Sequence, residues 1–153
     1  MPRTDAASRV IAAPPERVFA ALLDPVALSE WLPPPGMSGR FERFDPRPGG
    51  GYRLVLTYLD ASGAPGKSGA DRDIVEARFV EIVLGERVVG AADFESDDPA
   101  FAGTMTMTWS ITPVPAGTRV DFVATDVPDG ITAEDHAAGL AASLAGLARY
   151  LER

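Results

Sequence analysis

The sequence predicts an α+β domain in which one antiparallel sheet of six or seven strands wraps around a long C-terminal helix. Three observations carry this. From Ser38 to Thr125 the apolar residues recur with a period of two, the mark of half-buried strands. Those segments follow one another through short turns, and a parallel pair would need a long crossover instead. The chain then closes on its only long helical pattern. Ala133, His136, Ala137, Leu140, Leu144, Leu147, Ala148 and Leu151 fall on one stripe.

Taken in order, residues 9–12 form a short β-like stretch that Pro14-Pro15 stops. Pro15 suits the first turn of a helix, and Val18, Phe19, Leu22 and Leu23 give that helix an apolar face. Asp24 is a plausible N-cap with Pro25 behind it. Leu28, Trp31 and Leu32 line the second short helix, which Pro33-Pro34-Pro35-Gly36 ends. Strands are predicted over 38–44, 52–59, 73–83, 87–94, 104–111 and 118–125. Gly, Ser and Pro make residues 60–69 a hairpin loop, and Gly49-Gly50-Gly51 reads as a turn or bulge into a strand. The cleanest alternation is at 104–111, with Met105, Met107, Trp109 and Ile111 on one face. Thr132 is a good N-cap for the last helix, with Asp135 completing a box-like start. The order is β-α-α-β-β-β-β-β-β-α.

The 153 residues suit one domain over 1–153, with no internal repeat. There are no cysteines, hence no disulfide, thiol nucleophile or thiolate metal site. The net charge of −8, with scattered arginines and Lys67 as the lone lysine, argues against nucleic acid and anionic membranes as partners. No apolar run is long enough to span a bilayer, and Met1-Pro2-Arg3-Thr4-Asp5 opens no signal peptide, so a cytoplasmic protein is expected.

The order of elements resembles the helix-grip fold of the START-like, or SRPBCC, superfamily. Local motifs narrow the resemblance to proteins named for the activator of Hsp90 ATPase. They include Ala13-Pro14-Pro15-Glu16-Arg17-Val18-Phe19 with Trp31-Leu32, and Pro48-Gly49-Gly50 entering a strand. Phe94-Glu95-Ser96-Asp97-Asp98-Pro99 to Trp109, Gly117-Thr118-Arg119-Val120, and Glu134-Asp135-His136-Ala137-Ala138-Gly139-Leu140 to Tyr150-Leu151-Glu152 complete them. The superfamily hosts lipid carriers, polyketide cyclases and interaction modules, and it habitually keeps a cavity under the last helix. The resemblance thus implies a small-molecule binder, with a chaperone-interacting module and a cyclase- or hydrolase-like enzyme as alternatives. Co-chaperones that name the family carry a large additional N-terminal domain, whereas only a short segment precedes the first helix here. An Hsp90-activating role is therefore not the leading expectation.

The expected site is apolar with a few polar groups. Tyr52, Leu54, Leu56 and Tyr58 would face it from one strand, and Met105, Met107 and Trp109 from another. Trp31 would come from the second short helix, and His136, Leu140, Ser143 and Leu144 from the last. The same residue types would also build a dry core. Small residues on the last helix, among them Gly139 and Gly146, argue for either close approach to the sheet or retained volume. His136, the single histidine, can be read three ways: stapled against Ile131, lining the pocket, or acting as an acid/base there. No catalytic residue beyond this candidate, no cofactor and no metal is expected. Glu95, Asp97 and Asp98 lack the spacing of a calcium loop and read as turn chemistry. A small hydrophobic molecule is the expected partner, with a homodimer also open.

Overall fold

The computed structural model describes residues 3–33, 36–59 and 72–153. The loop expected at 60–69 lies outside them. Seven strands form one antiparallel sheet in the order β1-β7-β6-β5-β4-β3-β2. They are β1 (Asp5–Ile11), β2 (Met37–Phe44), β3 (Gly51–Tyr58), β4 (Arg72–Val83), β5 (Arg87–Phe94), β6 (Met105–Val114) and β7 (Gly117–Thr125). Consecutive strands from β2 to β7 are neighbours, as short turns require. Only β1 is displaced, to the far edge beside β7. The helices α1 (Pro15–Leu22) and α2 (Pro25–Trp31) carry the chain from that edge to the other.

Local chemistry explains the breaks. Pro15 and Pro25 occupy the first turns of the two short helices, and the Asp24 carboxylate accepts from Val26 N at 3.0 Å. The final helix, α3 (Ala133–Glu152), begins where Thr132 Oγ1 accepts from Asp135 N at 3.1 Å. The strand β6 runs past the predicted end at Ile111. Its Pro113 pairs with Thr118 next to the β6–β7 turn, where a missing N–H disturbs the ladder least. A short 3₁₀ turn over Pro99–Phe101, which the sequence reading did not foresee, is capped by Asp98 Oδ1 accepting from Ala100 N at 2.9 Å.

The helix α3 does not lie evenly across the sheet. It packs on β1, α2, α1 and β7, and makes no comparable contact with β3, β4 or β5. Ile11, Val18, Phe122, Leu140, Leu144 and Leu147 form the fully buried centre of the core on the packed side. Apart from His136, the predicted stripe is therefore buried only from Leu140 onward. Ala133 and Ala137, expected against the sheet, are exposed, and in the first two turns of α3 only the His136 side chain is mostly buried, against Asp5 of β1. This is the helix-grip architecture, closed on one side and standing open on the other.

Candidate functional site

Side chains alternate along a strand, so the register determines which residues face α3. Leu56 sits opposite Asp73, Leu54 opposite Val75, and Tyr52 opposite Ala77. Ala77 in turn faces Ala92, and Phe79 faces Gly90. Gly90 then pairs with Met107, Ala92 with Met105, and Trp109 with Phe122. The middle of this inner face carries small residues: Ala77, Gly90 and Ala92. They lie where α3 stands off, and the result is a cavity of about 320 Å³. That size falls within the range of small-molecule sites.

The two helix glycines have opposite roles. A Cβ on Gly146 would meet the Trp31 carbonyl oxygen at 2.5 Å, so this glycine lets α3 approach α2. A Cβ on Gly139 would meet nothing within 4 Å, and this residue lines the cavity. Small residues on α3 thus do both things the sequence allowed, at different turns.

Of the twelve residues expected at the site, Tyr52, Leu54, Leu56, Met105, Met107, Trp109, His136, Leu140 and Ser143 line the cavity. Trp31, Tyr58 and Leu144 do not. The Trp31 indole N–H donates to the Ala21 carbonyl at 3.0 Å, which turns the ring into the core. There it meets Trp109 edge-on at a centroid distance of 5.4 Å and so buttresses a wall residue from behind. Leu144, only 1% exposed, packs within the core on the closed side. Tyr58 ends β3 and hydrogen-bonds the Asp73 carboxylate. Burial raises the Tyr58 phenol pKa, with the Asp73 charge adding to the effect.

Most of the wall is apolar and aromatic. Trp109 stacks on Phe122 at 3.6 Å between centroids, and Tyr52 sits among Phe41, Phe44 and Phe79. Burial pushes the Tyr52 phenol up to about 12, since its phenolate would form in an apolar setting. Among the described residues, none hydrogen-bonds the Tyr52 hydroxyl, the Trp109 indole N–H, Ser143 Oγ or His136 Nε2. Among the described residues, no lysine or arginine lines the cavity, while Asp73 and Asp135 do.

The rim nearest the start of α3 carries the main polar cluster. His136 Nδ1 lies 2.7 Å from Asp5 Oδ2, and both side chains are about nine-tenths buried. Arg3 Nε and Nη2 donate to the same carboxylate at 3.1 and 3.0 Å, and Arg3 also donates to the Ile131 carbonyl. Burial alone would raise the Asp5 pKa. The hydrogen bonds and charges of Arg3 and His136 outweigh that and hold it below the usual carboxylate value.

Asp5 and Asp73 are not among the site residues that the sequence predicts. Asp73 is 3% exposed and shares the inner phase of β4 with Val75 and Ala77. A carboxylate in the apolar phase of a strand was the available signal. Asp5 escaped because the first strand was started at Arg9. In fact β1 begins at Asp5, opposite Ala124 of β7. On the outer face, Arg53 binds Glu42, Glu76 and Glu95, in line with the solvent-side placement its alternation predicts. Among the described residues no cluster of acidic or histidine side chains is arranged to hold a metal, and no helix is long and apolar enough to cross a membrane.

Residues 12–152 match the family described as activator of Hsp90 ATPase homolog 1-like protein. A crystal structure from Chromobacterium violaceum is 35% identical, covering 98% of this chain and 97% of that one, with a TM-score of 0.86. One from Rhizobium loti is 26% identical over 99% of this chain and 98% of that one, with a TM-score of 0.75. A solution structure from Arthrobacter aurescens shares the fold at 18% identity, covering 97% of this chain and 86% of that one, with a TM-score of 0.81. No curated protein matches the chain.

Proposed function

The chain belongs to the activator of Hsp90 ATPase homolog 1-like family, and from that premise we propose that it binds a small apolar or aromatic molecule between the sheet and the C-terminal helix. The observation that carries this reading is the cavity of about 320 Å³. Its walls are mostly apolar, and the Tyr52 hydroxyl, the Trp109 indole N–H, Ser143 Oγ and His136 Nε2 bring to it polar atoms without a partner among the described residues. A packed core would instead leave polar groups satisfied and volume filled. Large exposed apolar side chains offer less support for a protein-docking face. Val10, Val26, Leu59, Val80 and Leu84 lie on separate strands, helices and turns.

The test is a fluorescence titration with a neutral naphthylamine probe, run beside native mass spectrometry of freshly purified protein. Saturable one-to-one binding is expected in the wild type. Gly139→Leu, which directs a side chain into the cavity, should abolish it while leaving circular dichroism unchanged. Binding of equal strength in that variant would contradict the reading.

A second reading, acid–base catalysis in the same cavity, is favoured by the pairing of Asp5 with His136. A carboxylate that orients an imidazole is a recurrent device for proton transfer. It requires turnover of a bound molecule that His136→Gln loses without a matching loss of affinity.

A further inference from the structure

We infer that the molecule held in this cavity carries an O–H or N–H donor and no negative charge, and that His136 Nε2 accepts a hydrogen bond from that donor. This rests on the ligand-binding reading and specifies its chemistry. The carboxylate of Asp5 decides where the imidazole proton sits. Arg3 already donates to that carboxylate through Nε and Nη2, so Asp5 is held as an acceptor. The contact of 2.7 Å between Asp5 Oδ2 and His136 Nδ1 then needs the proton on Nδ1. In the neutral ring this leaves Nε2 as a lone pair. It has no partner among the described residues, and its residue lines the cavity. A lone pair in an apolar wall favours a donor and disfavours an ether or a second acceptor.

Charge selects in the same direction. A cavity for a carboxylate or phosphate would be expected to present lysine or arginine to it. Among the described residues, none lines this one. Among the described residues, the ionisable groups on its wall besides His136 and Tyr52 are the acids Asp73 and Asp135. Arg3, near the rim, is committed to Asp5 and the Ile131 carbonyl. Trp109, which lines the cavity from the sheet, has an indole N–H with no partner among the described residues, so an oxygen on the ligand would suit it as well. A hydroxylated or amine-bearing aromatic molecule satisfies all three conditions.

Three probes on one ring system test this: 2-naphthol, 2-methoxynaphthalene and 2-naphthoate, titrated by calorimetry into the wild type and into His136→Phe. The wild type should bind 2-naphthol about fivefold tighter than the methyl ether, the worth of one net hydrogen bond, with 2-naphthoate weakest. In His136→Phe the naphthol and its ether should bind alike. Equal affinity for the two in the wild type, or a preference that survives in His136→Phe, would overturn the inference and leave ligand binding standing. Failure of all three probes to bind would overturn the ligand reading and the inference with it. A second measurement needs no variant. The protein has one histidine, so its two-bond ¹H–¹⁵N spectrum reports the tautomer directly. A proton on Nδ1 is expected, and a neutral ring carrying it on Nε2 would overturn the inference.

Discussion

Asp5 and His136 are 131 positions apart in the chain, yet their side chains meet at 2.7 Å. This contact ties the first residue of β1 to the first turn of α3, beside the part of the cavity wall that His136 forms. It is a polar clamp on the part of α3 that apolar packing does not hold.

Asp5→Asn should therefore cost about 1.5–3 kcal/mol at neutral pH, the range for a charged hydrogen bond lost from a mostly buried site. Because the folded pKa of Asp5 is depressed, its contribution is present above the unfolded value of about 3.8 and is lost as pH falls through the lower folded value. Urea denaturation at several pH values should show the wild-type advantage shrinking below pH 4. An advantage independent of pH would contradict the charged pairing.

The same substitution at two glycines of α3 should have opposite signs. Gly139→Ala meets open space and gains helix propensity, so it should stabilise by up to ~1 kcal/mol. Gly146→Ala would bring its Cβ to 2.5 Å from the Trp31 carbonyl oxygen and should destabilise by ~1–3 kcal/mol as α3 is pushed off α2. Thermal melts decide the matter, and equal shifts would refute the division of roles.

Much of this was legible beforehand. Period-two segments and short turns specified the antiparallel meander, and the long final stripe specified α3. Less was legible in the lift of its first two turns, since Ala133 and Ala137 occupy the apolar phase whether or not a sheet lies beneath them. The cavity owes as much to Ala77, Gly90 and Ala92 as to α3. Their smallness is informative only once the register places them on one face. Asp5 was hidden for a related reason. Asp5-Ala6-Ala7-Ser8 has no β-branched residue, and only its pairing with Ala124, Val123, Phe122 and Asp121 makes it a strand. Trp31 and Leu144 could not be separated from wall residues, because lining a cavity and packing behind it call for the same side chains.

Tyr52 supplies an optical test. Its phenol ionises at about 12 in the folded protein against 10.0 in the reference state. A raised value means that its contribution to stability is full below pH 10 and lost as pH rises through about 12. Absorbance of tyrosinate should show a late step near pH 12 that Tyr52→Phe removes. Should the phenols all titrate near pH 10 while the protein is still folded, the buried placement of Tyr52 is refuted.

The two tryptophans should respond differently to a ligand. Trp109 lines the cavity, whereas Trp31 lies behind it with its N–H bonded to Ala21. In Trp109→Phe the ligand-dependent fluorescence change should largely vanish. In Trp31→Phe it should persist, with stability lower by about 1–3 kcal/mol from the lost hydrogen bond and packing. The reverse pattern would place the ligand elsewhere.

Three of the four methionines, Met37, Met105 and Met107, line the cavity from β2 and β6. The most direct test is a methyl NMR titration of methionine-labelled protein with 2-naphthol. These three signals should shift together and saturate at one equivalent, and none should shift in Gly139→Leu. Signals that stay fixed in the wild type, or move equally in the filled variant, would contradict ligand binding beneath the last helix.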